Sequence, residues 1–284
     1  PIDRTSWVSF GIVSAVNTVL PFMLIAWALQ WVDAGLGVIL NSTTPIFAFL
    51  ITWGITRQEA ITPRKLFGVA AGIAGIVLIV GASALSGLGQ QMLPQLAIVL
   101  ASLSYATSAI YGRGFREMSP LAPACGSLLI GAAILAPMAL IVEQPWSVVP
   151  SATSVASLII LAVLCTALGN VLYFRLLGTL GSLGTTAQSY LRVPIGVLAG
   201  IVLVGETLTP TAGIGLLCVV AGVMAMTWPA DRPLPLPWTT IERAHAVLSA
   251  AIGRMPPLAV EYLLLLVVAT LWAGSYVWVK IGLQ

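Results

Sequence analysis

Apolar residues run along this chain in long unbroken blocks. Nine stretches, roughly 6 to 29, 34 to 55, 65 to 83, 93 to 112, 119 to 142, 153 to 177, 182 to 204, 210 to 228 and 260 to 281, are long enough to cross a bilayer as helices. Outer-membrane strands alternate apolar and polar residues, so continuous blocks exclude a barrel and predict an all-α integral membrane fold. No cleavage pattern precedes the first block, which predicts an N-terminus that is mature as written. One connection is long. Residues 229–259 open with Pro-Ala-Asp-Arg-Pro-Leu-Pro-Leu-Pro and close with Met255-Pro256-Pro257. Within them Thr239-x-x-Glu242 reads as a capping box, with Ile241, Leu248 and Ile252 on one face of a short interfacial helix. The only histidine, His245, falls in this linker, where it reads as a solvated residue.

The block at 182–204 departs from the pattern, because its first half is polar. It begins Ser182-Leu-Gly-Thr-Thr-Ala-Gln188-Ser-Tyr190-Leu-Arg192-Val-Pro194 and is followed by Glu206-x-x-Thr209-Pro210. A second copy of this arrangement lies earlier. Asn41-Ser42-Thr43-Thr44-Pro45 leads a run that ends in Glu59-x-x-Thr62-Pro63, with Pro45 and Pro194 offset by 149. From Glu59 onward the match continues at an offset of 147, pairing Gly68 with Gly215 and Gly75 with Gly222. Such self-similarity is the mark of an internal repeat. Thr62-Pro63 and Thr209-Pro210 read as an N-cap followed by proline in the first turn, so each starts a helix beyond a loop glutamate. An odd number of spans separates the copies, which gives them inverted topology and favours a central site reached in turn from each face.

Composition sharpens this picture. Of 284 residues 59% are hydrophobic and 7% charged, with mean hydropathy +1.04, which excludes a soluble globular protein. The net charge of +3 reflects membrane topology and gives no argument for nucleic acid. With the N-terminus on one side, Arg4, Arg57, Arg64, Lys65, Arg113, Arg116, Arg175, Arg232, Arg243 and Arg254 fall on or near that side. Lys280 alone falls opposite, and Arg192 lies within a span. This bias predicts a multi-pass protein with a cytoplasmic N-terminus and the end of residue 284 on the outer side. Cys125, Cys165 and Cys218 all lie in spans and read as reduced packing residues with no metal spacing.

The inverted repeat and its paired motifs, Pro45…Glu59-x-x-Thr62-Pro63 and Pro194…Glu206-x-x-Thr209-Pro210, resemble the drug/metabolite transporter superfamily, EamA type. Within it the chain is similar to the YddG-like bacterial exporters of aromatic amino acids. The resemblance implies an inner-membrane exporter of small metabolites, with ten helices in two inverted five-helix repeats and both termini cytoplasmic. The order departs from the family. The last block, Tyr262 to Lys280, resembles the family's first helix and pairs with Leu96 to Tyr111, while residues 1–228 read as helices three to ten. The expected organisation is therefore helices three to five of the first repeat in 1–88, the second repeat in 89–228, a cytoplasmic linker in 229–259, and the displaced first helix in 260–284. This amounts to a circular permutation without the family's second helix, which a separate chain would supply or lipid would replace; a natural nine-span protein is the simpler alternative.

Candidate chemistry concentrates on few helices. Arg192 and Gln188 stand one turn apart on one face, with Tyr190 and Pro194 beside them. The other copy offers Asn41, Ser42, Thr43 and Pro45, and the offset of 149 sets Thr43 opposite Arg192. Pro45 and Pro194 are the expected helix breaks. Arg192 either holds a substrate carboxylate or is tied to carbonyls and the interface. Trp272, Tyr276, Tyr105, Ser108 and Tyr111 are the expected ring-stacking and polar lining, with packing between helices as the plainer reading of each; Tyr173, Asn17 and Asn170 share that ambiguity. Trp7, Trp31, Trp146 and Trp228 sit near span ends, as interfacial anchors do.

No Asp or Glu lies deep in a span, so an intramembrane carboxylate for ion coupling has no candidate. An intramembrane enzyme also lacks its residue sets, and neither a cofactor nor a metal is implied. The expected partners are the lipid bilayer and a small-molecule substrate. Two further readings remain at this point: a drug or nucleotide-sugar transporter, and a non-transporting permuted or split folding unit.

Overall fold

A computed structural model of the chain describes residues 3–32, 34–56, 62–142, 150–195, 209–227 and 257–282. Glu59, Glu206, Trp146, Trp228, the linker with His245, and the side chain of Tyr276 lie outside the described residues. Among the described residues every regular element is helical.

In chain order these are α1 (Arg4–Ala28), α2 (Ala34–Asn41), α3 (Thr44–Ile51, extended by a π-turn, Thr52–Thr56), α4 (Pro63–Val80), α5 (Met92–Gly112) and α6 (Leu121–Val142). They continue as α7 (Ala152–Thr179), α8 (Gly181–Thr186), α9 (188–195), α10 (Pro210–Thr227) and α11 (Pro257–Gly282). Seven spans, among them Leu36–Ile55 formed by α2 and α3 together, are long and apolar enough to cross a membrane.

The helix starts follow their cap residues. Asp3 takes the amide of Ser6 at 2.9 Å, and Ser151 takes that of Ser154 at 3.1 Å. Thr62 and Thr209, the paired motif threonines, accept from the amides of Lys65 and Ala212, with Pro63 and Pro210 in the first turn as their sequence required.

The helix interruptions fall elsewhere than at the prolines. The second span breaks at Ser42–Thr43, two residues before Pro45; the other copy breaks at Ala187, seven before Pro194, which lies inside α9. Around the first break Ser42, Thr43 and Thr44 donate their hydroxyls to the carbonyls of Val38, Leu40 and Asn41. Around the second, Thr185, Thr186 and Ser189 donate to Gly181, Leu183 and Thr186. Short hydroxyl side chains compete for backbone groups and loosen the helix where they cluster, so the polar runs make the breaks.

α4 and α10 pack backbone to backbone. A Cβ on Gly68 would lie 2.7 Å from the Gly222 carbonyl oxygen, and one on Gly75 would lie 2.6 Å from that of Gly215. Repeat equivalence exchanges these two contacts, because Gly68 corresponds to Gly215 and Gly75 to Gly222. α5 packs on α1, and α11 packs on α7.

Contacts at one end gather the cations. Ser9 meets Tyr111 at 3.2 Å, Gly112 abuts Leu177, Glu261 meets Thr179 at 2.8 Å and Arg175 at 3.9 Å, Tyr262 meets Thr227 at 3.4 Å, and Gly68 abuts Met226. Arg4, Arg64, Lys65, Arg113, Arg116 and Arg175 thus share a single face of the molecule.

Candidate functional site

α9 carries Arg192 into the interior. Its Nε donates to Gln188 Oε1 at 2.9 Å, the i to i+4 pairing that the sequence spacing required. The guanidinium carbon lies 4.4 Å from the centroid of the Trp272 ring, a cation–π contact worth about 0.5–2 kcal/mol depending on its exposure to water. Arg192 is thereby oriented from two sides, by an amide on its own helix and an indole face on α11.

Trp272 is itself fixed by a local departure from α-helical bonding. In α7 residues Leu161–Leu168 form a π-turn, and the Gly169 amide bonds to Leu164 O and Thr166 O. The Cys165 carbonyl, passed over by that amide, accepts the Trp272 indole N–H at 2.7 Å. Gly169 makes the room, since a Cβ there would fall 2.5 Å from Trp272 Nε1. On its other side the indole meets Tyr173 at 5.6 Å, tilted by 41°. The Tyr173 hydroxyl lies within electrostatic range of Ser108, Tyr105 and Arg192. Ser108 is fully buried, with its hydroxyl beside that of Tyr173.

Beside this cluster the two repeats touch through like residues: Asn17 Nδ2 donates to Asn170 Oδ1 at 3.3 Å, and Asn170 donates to Thr166 O at 2.9 Å. Asn17 lies in a second π-turn, Ala15–Val19 of α1. From Tyr173 a line of rings runs through Phe174, Phe115 and Phe10 to Trp7 at the basic face, with centroids 5.5–6.2 Å apart.

The expected residues thus divide. Arg192, Gln188, Trp272, Tyr105 and Ser108 come together around Tyr173. Tyr190 does not join them: two residues before Arg192, it points to the opposite side, wholly buried, with its ring against Gly72 and its hydroxyl donating to Val69 O at 3.2 Å. Tyr111 lies toward the basic face, bonded to Ser9. Ser42 and Thr43 spend their hydroxyl protons on their own helix, and Asn41 meets Ser102 of α5 at 3.3 Å. Trp7 and Trp31 are exposed at span ends.

An oriented intramembrane cation among rings, in a fold of inverted repeats, suits a solute pathway. The chain matches the EamA-like transporter family over residues 1–81 and 92–228. It belongs to that family. Among EamA-like relatives, a probable terminal-alkyne amino-acid exporter of Streptantibioticus cattleyicolor is 26% identical over 204 residues, 71% of this chain and 67% of that protein. The uncharacterized inner membrane transporter YedA of Escherichia coli K12 is 26% identical over 202 residues, 70% of this chain and 63% of that one. A probable amino-acid metabolite efflux pump of Salmonella typhimurium is 28% identical over 176 residues, 58% of each. The chain therefore spans about two thirds of the length of the first two relatives, and less of the third. A solved crystal structure superposes with a TM-score of 0.66 over 81% of this chain and 78% of that one. At 18% identity that likeness shows the fold alone. This EamA-like protein is all-α among its described residues, with seven spans long and apolar enough to cross a membrane.

Sequence reasoning passed over two parts of the site. Cys165 acts through its backbone carbonyl, and Gly169 acts by lacking a side chain. The one available signal was that Gly169 and Cys165 stand, at the repeat offset of 149, where the other copy has Leu20 and Val16.

Proposed function

We propose that this chain exports small carboxylate metabolites, foremost amino acids with aromatic or other hydrophobic side chains, across a bacterial plasma membrane by alternating access. The observation that carries the reading is the Arg192 guanidinium held between Gln188 and the face of Trp272 inside the membrane. A cation inside a span costs about 2.5–3.5 kcal/mol on insertion scales, and residues kept there at that cost mark substrate pathways. A carboxylate matches the guanidinium fork, and the neighbouring indole and phenol rings suit a flat apolar side chain. A nucleotide sugar carries two phosphates, and the sequence places one cation well inside a span. The relatives' names, an amino-acid exporter and an amino-acid metabolite efflux pump, lean the same way.

On this reading Arg192, Gln188, Trp272, Tyr105, Ser108 and Tyr173 form the central site. The basic face is cytoplasmic. α11 takes the place of the first helix of the first repeat, and its packing on α7 as α5 packs on α1 supports this. A further helix, from a separate chain or segment, covers α7. At the offset of 149 Phe10 and Ser14, buried where α6 covers α1, correspond to Ile159 and Val163, which are 57% and 56% exposed.

Equilibrium dialysis of labelled phenylalanine against the purified protein tests the site. Arg192→Gln should weaken binding about 10- to 100-fold, the worth of a hydrogen bond to a charged group. Equal binding by the wild type and a folded Arg192→Gln protein would remove Arg192 from the site.

A further inference from the structure

The two repeats satisfy the same backbone problem with different side chains. In α1 the π-turn sends the Leu20 amide to Ala15 O, and Val16 O instead accepts Ser104 Oγ of α5 at 2.8 Å. In α7 the π-turn sends the Gly169 amide past Cys165 O, which accepts Trp272 Nε1 of α11 at 2.7 Å. Val16 and Cys165 differ by 149, as do Leu20 and Gly169. Along α5 and α11 the runs Ala101-Ser-Leu-Ser104 and Ala269-Thr-Leu-Trp272 share one register, offset by 168. Ser104 and Trp272 therefore hold equivalent positions and make equivalent hydrogen bonds.

Anchoring the released carbonyl needs only a serine, as the first copy demonstrates. The second copy uses the largest side chain available, and clears space for it by placing glycine where the first has leucine. What the tryptophan adds beyond the anchor is its ring, and that ring lies 4.4 Å from the Arg192 guanidinium, whose own repeat equivalent is Thr43. One asymmetry between the repeats is this indole and the cation stacked on it.

We propose that Trp272 is the specificity-determining residue of the site, its indole face selecting carboxylate solutes that carry a flat ring. The inference rests on the proposed carboxylate site at Arg192 and extends it. The guanidinium covers the indole face. A solute carboxylate draws the guanidinium toward itself, and the uncovered face takes the solute's ring. Carboxylate and ring are thus read together: a ring without a carboxylate meets a covered face, and a carboxylate without a ring leaves the uncovered face in contact with water.

The test is the ratio of binding constants for phenylalanine and leucine, measured by dialysis on the full chain. Trp272→Ser copies Ser104, keeps a donor for the Cys165 carbonyl and should fold. Its expected effect is a loss of about three- to tenfold in the phenylalanine-to-leucine ratio, the worth of a ring pair, with leucine binding still dependent on Arg192. Trp272→Phe keeps a ring without the N–H and should retain most of the ratio. Gly169→Ala, which pushes on the indole, should lower the ratio, and Trp272→Phe in the same chain should restore it. A ratio unchanged in folded Trp272→Ser overturns the assignment of Trp272 while leaving the carboxylate site standing. Absence of amino-acid binding in the wild type overturns the carboxylate site, and this assignment with it.

Discussion

Arg192 and Tyr190 stand two residues apart on one helix and face opposite ways. Arg192 stacks on Trp272 of α11 and lies near Tyr173 of α7, whereas Tyr190 fills the notch at Gly72 and caps Val69 O. Tyr190→Phe should therefore cost about 1 kcal/mol of stability, the net worth of one hydrogen bond, and leave substrate affinity unchanged. Thermal unfolding and dialysis on the same preparation check both halves of that statement. Arg192 was legible in the sequence because a cation inside an apolar block stands out, and Gln188 followed from helical spacing. Tyr190 misled, since a tyrosine beside a functional residue looks the same whether its hydroxyl faces a solute or a carbonyl. Cys165 and Gly169 left almost no trace, because one acts through its backbone and the other through missing atoms.

At the scale of elements, caps and glycines did as their sequence required. The paired Thr-Pro motifs start α4 and α10, and the glycines that recur at matched offsets are the points where these two helices touch. Gly222→Ala would set a methyl carbon 2.7 Å from Gly68 O and 2.8 Å from Gly72 N, both backbone atoms. It should cost about 1–3 kcal/mol by overpacking, read as a lowered Tm in detergent. The π-turns were not legible, because one extra residue per turn only blurs a period that apolar spans barely show. The helix breaks were placed at Pro45 and Pro194 and occur at the hydroxyl clusters before them. Proline's constraint is visible from the sequence alone, whereas competition by serine and threonine for backbone carbonyls depends on which rotamers the neighbours leave open.

For the molecule as a whole, the inverted repeat was legible from spacing, since matched motifs an odd number of spans apart fix relative orientation. What spacing left out is how the halves meet. Asn17 and Asn170 join them across the middle, and the Val16–Ser104 and Cys165–Trp272 bonds relate them by symmetry while Trp272 breaks it. A double-mutant cycle between Asn17→Ala and Asn170→Ala should give a coupling of about 0.6 kcal/mol, typical of polar pairs within membranes. The orientation is tested separately by Glu117→Cys, on a background without the native cysteines. It should react with an impermeant maleimide in inverted vesicles and resist it in right-side-out ones; the reverse pattern would put the basic face outside.

Counterflow of labelled phenylalanine into proteoliposomes, preloaded with unlabelled phenylalanine and compared between wild type and Arg192→Gln, bears most directly on transport through the Arg192 site. The expected result is accumulation by the wild type that falls about 10-fold or more in the variant. Accumulation of equal rate in both, with insertion and folding verified, would contradict the site, and no accumulation by the wild type would contradict phenylalanine as a substrate.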